Sequence, residues 1–311
     1  MGRSRWSGIM CSLAVIVLAG AMFTGCGDDD GGGGPDLIKV SDFEGSWVAS
    51  SYRVTSVANP QISLEFVALG GAFGWEADDA GDFTGRAFVP AALTGQSMEL
   101  PFQGTFDLIS QDSILVDFAV EFPPFLEDTR AGFTLEGDTF TITDDNTSFD
   151  FDGDQVAEAA TFESVLIKYE GSEPSVTFVS DFEGHWEMTS YVMTSALNPQ
   201  VSIDAVAMGA EFSFDLDDEG NFLGDTFIPA SLAGVDVTIT DTPGYFNLVT
   251  QDTVEVVFTP EIEPFLTTFS GEFAKDGDEM SIISEDETFD FDGDQVEEAA
   301  IFEGTMVRTT P

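Results

Sequence analysis

The chain has 311 residues, of which 58 are Asp or Glu, nine are Lys or Arg and one is His, for a formal net charge of −49. A hydrophobic content of 43% excludes a wholly disordered acidic polymer, and the length accommodates two ordinary domains. So acidic a balance argues against nucleic acid as a partner, because gripping a phosphate backbone takes clustered Lys and Arg.

Arg3 and Arg5 open the chain, and 8–23 is almost entirely apolar or small. That run has the length of a signal-peptide core and is short for a membrane span, which takes about 20 apolar residues. Phe23-Thr24-Gly25-Cys26 follows and resembles the lipobox of bacterial lipoproteins, with Phe23 where the consensus has Leu. The resemblance implies a signal peptide over 1–25, cleavage before Cys26, diacylglycerol on the Cys26 thiol and a fatty acyl chain such as palmitate on the freed amine. The membrane would then be a partner through lipidated Cys26. Cys11, the other cysteine, lies in the segment removed, so no thiol is left to form a disulfide. Residues 26–38 read as a flexible tether, with Asp28 to Asp30 followed by Gly31 to Gly34. A ten-residue Gly-rich coil spans about 16–19 Å. In Gram-negative lipoproteins Asp after the cysteine favours inner-membrane retention. Gly27 in that place implies the outer membrane or cell surface.

Beyond the tether one domain is written twice. Ser41-Asp42-Phe43-Glu44-Gly45-Ser46-Trp47 returns 139 residues later as Ser180-Asp181-Phe182-Glu183-Gly184-His185-Trp186. Phe149–Glu163 matches Phe289–Glu303 at 13 of 15 positions with an offset of 140, so one residue is inserted in the interval bounded by Gly95 and Gly244. A period this long marks a duplicated domain rather than a solenoid unit. The domains are expected at 39–170 and 177–311, joined by the short polar stretch Glu170 to Pro174.

Within each copy the hydrophobic period is two. Ile114, Val116, Phe118 and Val120 alternate with Asp117 and Glu121 on the opposite face, and Phe106 and Leu108 alternate with Thr105 and Asp107. Turn signals separate the runs: Asp78 to Gly81, Gln111-Asp112 and Gly137-Asp138, each repeated in the second copy. Strands are expected near 45–56, 70–77, 82–90, 103–110, 113–121, 131–136, 138–143 and 161–169. Eight antiparallel strands joined by tight turns make an all-β up-and-down barrel, which removes exposed edges by closing. A β-sandwich is the competing architecture.

Gly45-Ser46-Trp47 and Gly184-His185-Trp186, each heading a first strand, resemble the opening motif of lipocalins. Strand count, domain length and a basic residue in each last strand, Lys168 and Arg308, add to that likeness. The resemblance implies two tandem lipocalin-like barrels in which Lys168 packs across Trp47 and Arg308 across Trp186, each contact contributing about 0.5–2 kcal/mol. The middle lipocalin motif and the helix after the last strand have no counterpart.

Phe149-Asp150-Phe151-Asp152-Gly153-Asp154 and its repeat containing Asp290, Asp292 and Asp294 resemble the start of an EF-hand calcium loop. Gln155 stands where that loop has Gly, and Thr161 or Ile301 stands where it ends in Glu. The other reading is a strand with Phe inward and Asp outward, running into a Gly turn. The 30 Phe and four Trp either fill the barrels or line an apolar pocket, and Trp75 becomes Phe214 in the second copy. Nothing points to an enzyme: His185 is the lone histidine, no phosphate loop is present, and the mature chain keeps no nucleophilic thiol. The expected function is a lipid-anchored envelope lipoprotein whose barrels bind a small apolar ligand. The alternative is a non-catalytic interaction module with an acidic, calcium-binding surface.

Overall fold

The computed structural model describes residues 37–120, 128–152, 154, 156–171, 176–259, 267–291 and 296–309. The expected signal peptide, Cys26 and nearly all of the tether lie outside these residues, as do Asp292 and Asp294. Among the described residues no helix is long and apolar enough to cross a membrane.

The first repeat contains β1 (Gly45–Ser56), β2 (Ser63–Glu65), β3 (Ala72–Ala77), β4 (Asp82–Val89), β5 (Met98–Ser110), β6 (Ser113–Phe118), β7 (Thr129–Glu136), β8 (Thr139–Phe149) and β9 (Glu158–Tyr169). All pairings are antiparallel, each strand from β3 onward pairs with the next, and β9 returns to β1 over Ser46↔Tyr169 to Ser56↔Ala160. Eight strands therefore close into a barrel. The short β2 takes over the β1 edge at Arg53–Thr55, after β3 has left it at Val48.

The second repeat follows the same order with β10 (Gly184–Ser195), β11 (Ser202–Asp204), β12 (Glu211–Leu216), β13 (Asn221–Ile228), β14 (Val237–Leu248), β15 (Thr253–Phe258), β16 (Phe269–Asp276), β17 (Glu279–Phe289) and β18 (Glu298–Thr309). It closes through β10 and β18. The chain is thus nearly all-β, with two closed eight-stranded antiparallel barrels.

The alternation seen in the sequence is the alternation of burial. On β6, Ile114, Val116 and Phe118 are buried, while Leu115 and Asp117 face out; the strand ends at Phe118, so Val120, expected on the same inward face, is exposed instead. Two strands run further than their sequence pattern. β5 begins at Met98 and passes through Pro101, which pairs with Arg86 of β4. The pairing of β5 with β6 begins only at Gly104, so the missing amide of Pro101 costs no ladder bond on that side. β8 continues past Asp144 through a bulge to Phe149. The three-residue β2 and β11 are too short to show any period.

The residue inserted in the second copy is a bulge. Gly224 pairs with Thr242 and Thr226 with Ile239, so Thr240 and Asp241 face the single residue Asp225. Asp241 adopts φ +56°, and its N–H donates to Asp225 Oδ1 at 2.9 Å. A left-handed backbone at an Asp held by a neighbouring carboxylate is a usual bulge geometry.

Ile38–Pro311 forms one compact unit holding both barrels. Phe88, on β4 of the first barrel, is fully buried and belongs to the core of the second. Two residues earlier, Arg86 donates to Asp181 Oδ2 and to the Val176 carbonyl, and its guanidinium lies 4.7 Å over the Phe178 ring. Glu99 on β5 accepts the Val179 N–H at 2.5 Å. These contacts fix the register of one barrel on the other.

Candidate functional site

One end of each barrel is shut by a short 3₁₀ turn, Val40–Phe43 or Val179–Phe182. The last residue of each, Phe43 or Phe182, is fully buried, and its carbonyl accepts the indole N–H of Trp47 or Trp186 at 2.8 and 2.7 Å. Lys168 Nζ lies 5.7 Å from the centre of the Trp47 ring, and Arg308 Cζ lies 4.9 Å from that of Trp186. Gly45 and Gly184 have φ of +117° and +137°, and a Cβ there would stand 3.0 Å from Lys168 Cε and 3.1 Å from Arg308 Cδ. The Gly of each Gly-x-Trp motif thus serves both an unusual backbone and the seating of a cation. Arg308 also donates to the Asp181 carbonyl at 2.9 Å.

Toward the other end the two interiors differ. In the first barrel Phe102 stacks on Phe73 with centroids 5.0 Å apart and meets Phe83 and Phe118 edge-on. The equivalent register position in the second barrel, beyond the Asp241 bulge, is Thr242. Phe212, Phe222 and Phe258 therefore lack the ring that their counterparts pack on. All three wall an apolar cavity of about 60 Å³, together with Trp186, Met306 and the bare backbone of Gly304. The hydroxyls of Thr226 and Thr242 are buried without a partner among the described residues. Tyr191 and Ser284 bring polar atoms to the cavity wall. Burial, and after it the Glu287 carboxylate, push the Tyr191 hydroxyl well above the ordinary phenol range. It remains a neutral donor at physiological pH.

The first barrel holds a wider cavity of about 210 Å³. Its inner wall is aromatic, with Tyr52, Phe73, Trp75 and Phe118, and its rim carries Asp128, Thr129 and Asp144. Asp128 Oδ1 accepts the Phe118 N–H at 2.8 Å. Asp144 accepts the Thr129 hydroxyl at 3.0 Å and the Asn146 N–H at 2.8 Å. The sequence reading singled out none of these rim residues. Position-by-position comparison of the copies would have found them, because Thr129 faces Phe269 in that comparison and Asp144 faces Ser284.

The Asp150, Asp152 and Asp154 carboxylates have oxygens within 4.8 Å of one another, Asp150 partly buried and the other two exposed. Asp152 Oδ1 accepts the Asp154 N–H and Asp154 Oδ1 accepts the Val156 N–H, so each also holds its own turn. Of the second set only Asp290 falls among the described residues. Phe149 and Phe151 pack together with centroids 5.0 Å apart. His185 sits outside both cavities, with Nδ1 2.7 Å from Asp215 Oδ1.

No protein-family model matches the chain, and no curated protein matches it either. Among solved structures, the chain is similar to a protein of unknown function of the DUF3598 family from Nostoc punctiforme, at 12% identity and a TM-score of 0.27, covering 88% of this chain and 99% of that one. It is also similar to kievitone hydratase from Nectria haematococca, at 9% identity and a TM-score of 0.26, covering 88% and 94%. A third is transferrin binding protein B from Haemophilus parasuis, at 9% identity and a TM-score of 0.23, covering 85% and 76%.

Proposed function

We propose that this chain is a non-catalytic, lipid-anchored binding protein of the bacterial envelope whose second barrel takes a small apolar molecule. The observation that carries the reading is the second-barrel cavity, walled by Phe, Met and Val side chains and offering the neutral Tyr191 hydroxyl as an orienting donor. An apolar pocket with few polar groups is the usual chemistry of a small-molecule site. Loss of the Phe102-type ring gives the cavity a cause in the sequence.

Gly304 provides the test. A Cβ there would meet only Met188 Cε, at an ordinary 3.6 Å, so a larger side chain can grow into the cavity from an unstrained backbone. Xenon, an apolar atom small enough for this cavity, should perturb the NMR signal of the Met306 methyl group in the second-barrel wall, and Gly304→Leu should abolish this with an unchanged melting temperature. Equal binding by the variant contradicts the reading. Anchoring is tested separately: an alkynyl fatty acid fed to cells should label the wild type and not Cys26→Ala.

A second reading rests on the Asp150, Asp152 and Asp154 oxygens, close enough to share a hard cation. In it the acidic surface, bridged by calcium, is the working part and the barrels are its support.

A further inference from the structure

The two barrels descend from one sequence, yet their open ends have taken opposite chemistry. On β7 and β16 the equivalent inward residues are Thr129 and Phe269, paired with Val116 and Val256. On β8 and β17 they are Asp144 and Ser284, paired with Phe162 and Phe302. The second barrel thus puts a ring and a hydroxyl where the first puts a hydroxyl and a carboxylate. Asp128, next to Thr129, adds a second carboxylate to the first rim.

Among the described residues no Lys or Arg pairs with either carboxylate. Their hydrogen bonds come from the Phe118 and Asn146 amides and the Thr129 hydroxyl, none of which carries a positive charge. Behind them lie the ring faces of Tyr52, Phe73 and Phe162, with Tyr52 and Phe162 centroids 4.8 Å apart. The Trp75 indole, also in the wall, keeps a buried N–H with no acceptor among the described residues.

Carboxylates at a rim and aromatic faces within select by charge and by polarity. An anion is repelled by the rim and by a chain of net charge −49. A hydrated metal ion gains little from rings that supply no oxygen ligands. An ammonium group on an apolar body satisfies both parts: its charge meets the carboxylates, and its desolvated methylenes and cation edge meet the ring quadrupoles. We infer that the first barrel is a site for a small organic ammonium compound, its head between Asp128 and Asp144 and its apolar body against Tyr52, Phe73 and Phe162. The duplication has then split one pocket into two, one for a cationic ligand and one for a neutral ligand. The inference shares the barrel-binding reading but lies in the other barrel.

Calorimetric titration with three molecules of similar shape separates the outcomes: phenethylammonium, 2-phenylethanol and 3-phenylpropionate. Phenethylammonium should bind at one site per chain, at least tenfold tighter than the alcohol, and the carboxylate should not bind. Asp128→Asn and Asp144→Asn should each weaken the ammonium severalfold while leaving the alcohol unchanged. Asn keeps an acceptor for the Phe118 or Asn146 amide, so the fold is retained. Asp107→Asn, on an exposed outward position of β5, should change nothing, and neither should Gly304→Leu.

Equal affinity for ammonium and alcohol, unmoved by the rim variants, would overturn the inference and leave a plain apolar pocket in the first barrel. Ammonium binding that falls as much with Asp107→Asn as with Asp144→Asn would overturn it as surface charge alone. If xenon binds the second barrel and no phenethyl compound binds the first, the inference fails while the binding reading stands.

Discussion

Arg86 Nη1 of the first barrel lies 2.6 Å from Asp181 Oδ2 at the start of the second, with both side chains partly buried. Asp225 stands in the register position equivalent to Arg86 and turns its carboxylate to the Asp241 amide of its own barrel. The duplicated strands thus serve different ends: one clamps the barrels together and the other stabilises a bulge.

The clamp implies a single cooperative unit. Phe88→Ala removes a ring fully buried in the partner core, which costs about 3–5 kcal/mol for such truncations. In calorimetry the wild type should unfold in one transition, whereas Phe88→Ala should lower and split it. A single unshifted transition would mean that Phe88 does not couple the barrels.

Glu99 makes the same junction pH-dependent. Burial, chiefly, and repulsion from Asp181 raise its carboxyl above the ordinary value of 4.5, against the Val179 amide and Arg86. A raised acid gives its full stabilisation below the unfolded-state value and loses it as pH rises through the folded value. Glu99→Gln keeps an acceptor for the Val179 N–H and carries no charge. Its melting temperature should exceed that of the wild type at pH 7, and the difference should vanish near pH 4. A variant less stable at pH 7 would show that the charge is needed there.

At the closed ends, Arg308 does more than Lys168. Each cation lies over its indole, a contact of about 0.5–2 kcal/mol, but Arg308 also bonds the Asp181 carbonyl, which is worth about another 1 kcal/mol. Urea denaturation should rank Arg308→Met below Lys168→Met. The reverse order would put the stabilisation elsewhere.

Much of the barrel was legible in the sequence, for reasons particular residues make plain. One buried face forces the alternation of Ile114, Val116 and Phe118, and Gly45 and Gly184 recur because no other residue suits both that backbone and the cation beside it. The rim escaped notice because Asp144 continues the inward alternation of Phe140 and Ile142 with a carboxylate, which reads in the sequence as the end of the buried run. Phe88 escaped too. On an outward position it reads like Phe227 of the second copy, and only the packing of one barrel on the other separates them.

Calcium and simple salt make distinguishable changes. Without Arg3 and Arg5 the chain carries 58 acids and seven bases, a net −51, so NaCl should raise the melting temperature by screening self-repulsion. If Asp150, Asp152 and Asp154 hold calcium, millimolar calcium at fixed ionic strength should add a further rise that magnesium does not match, and Asp152→Asn should remove it. Equal shifts from the two ions would leave only screening.

A small apolar molecule held in the second barrel should travel with the protein through purification. Native mass spectrometry of the protein purified from the cells that make it reads such a molecule by its mass. The wild type should carry a bound species of discrete small mass, released by organic solvent and missing from Gly304→Leu. Wild-type protein without such a species, identical in this respect to the variant, would mean that the second barrel carries nothing.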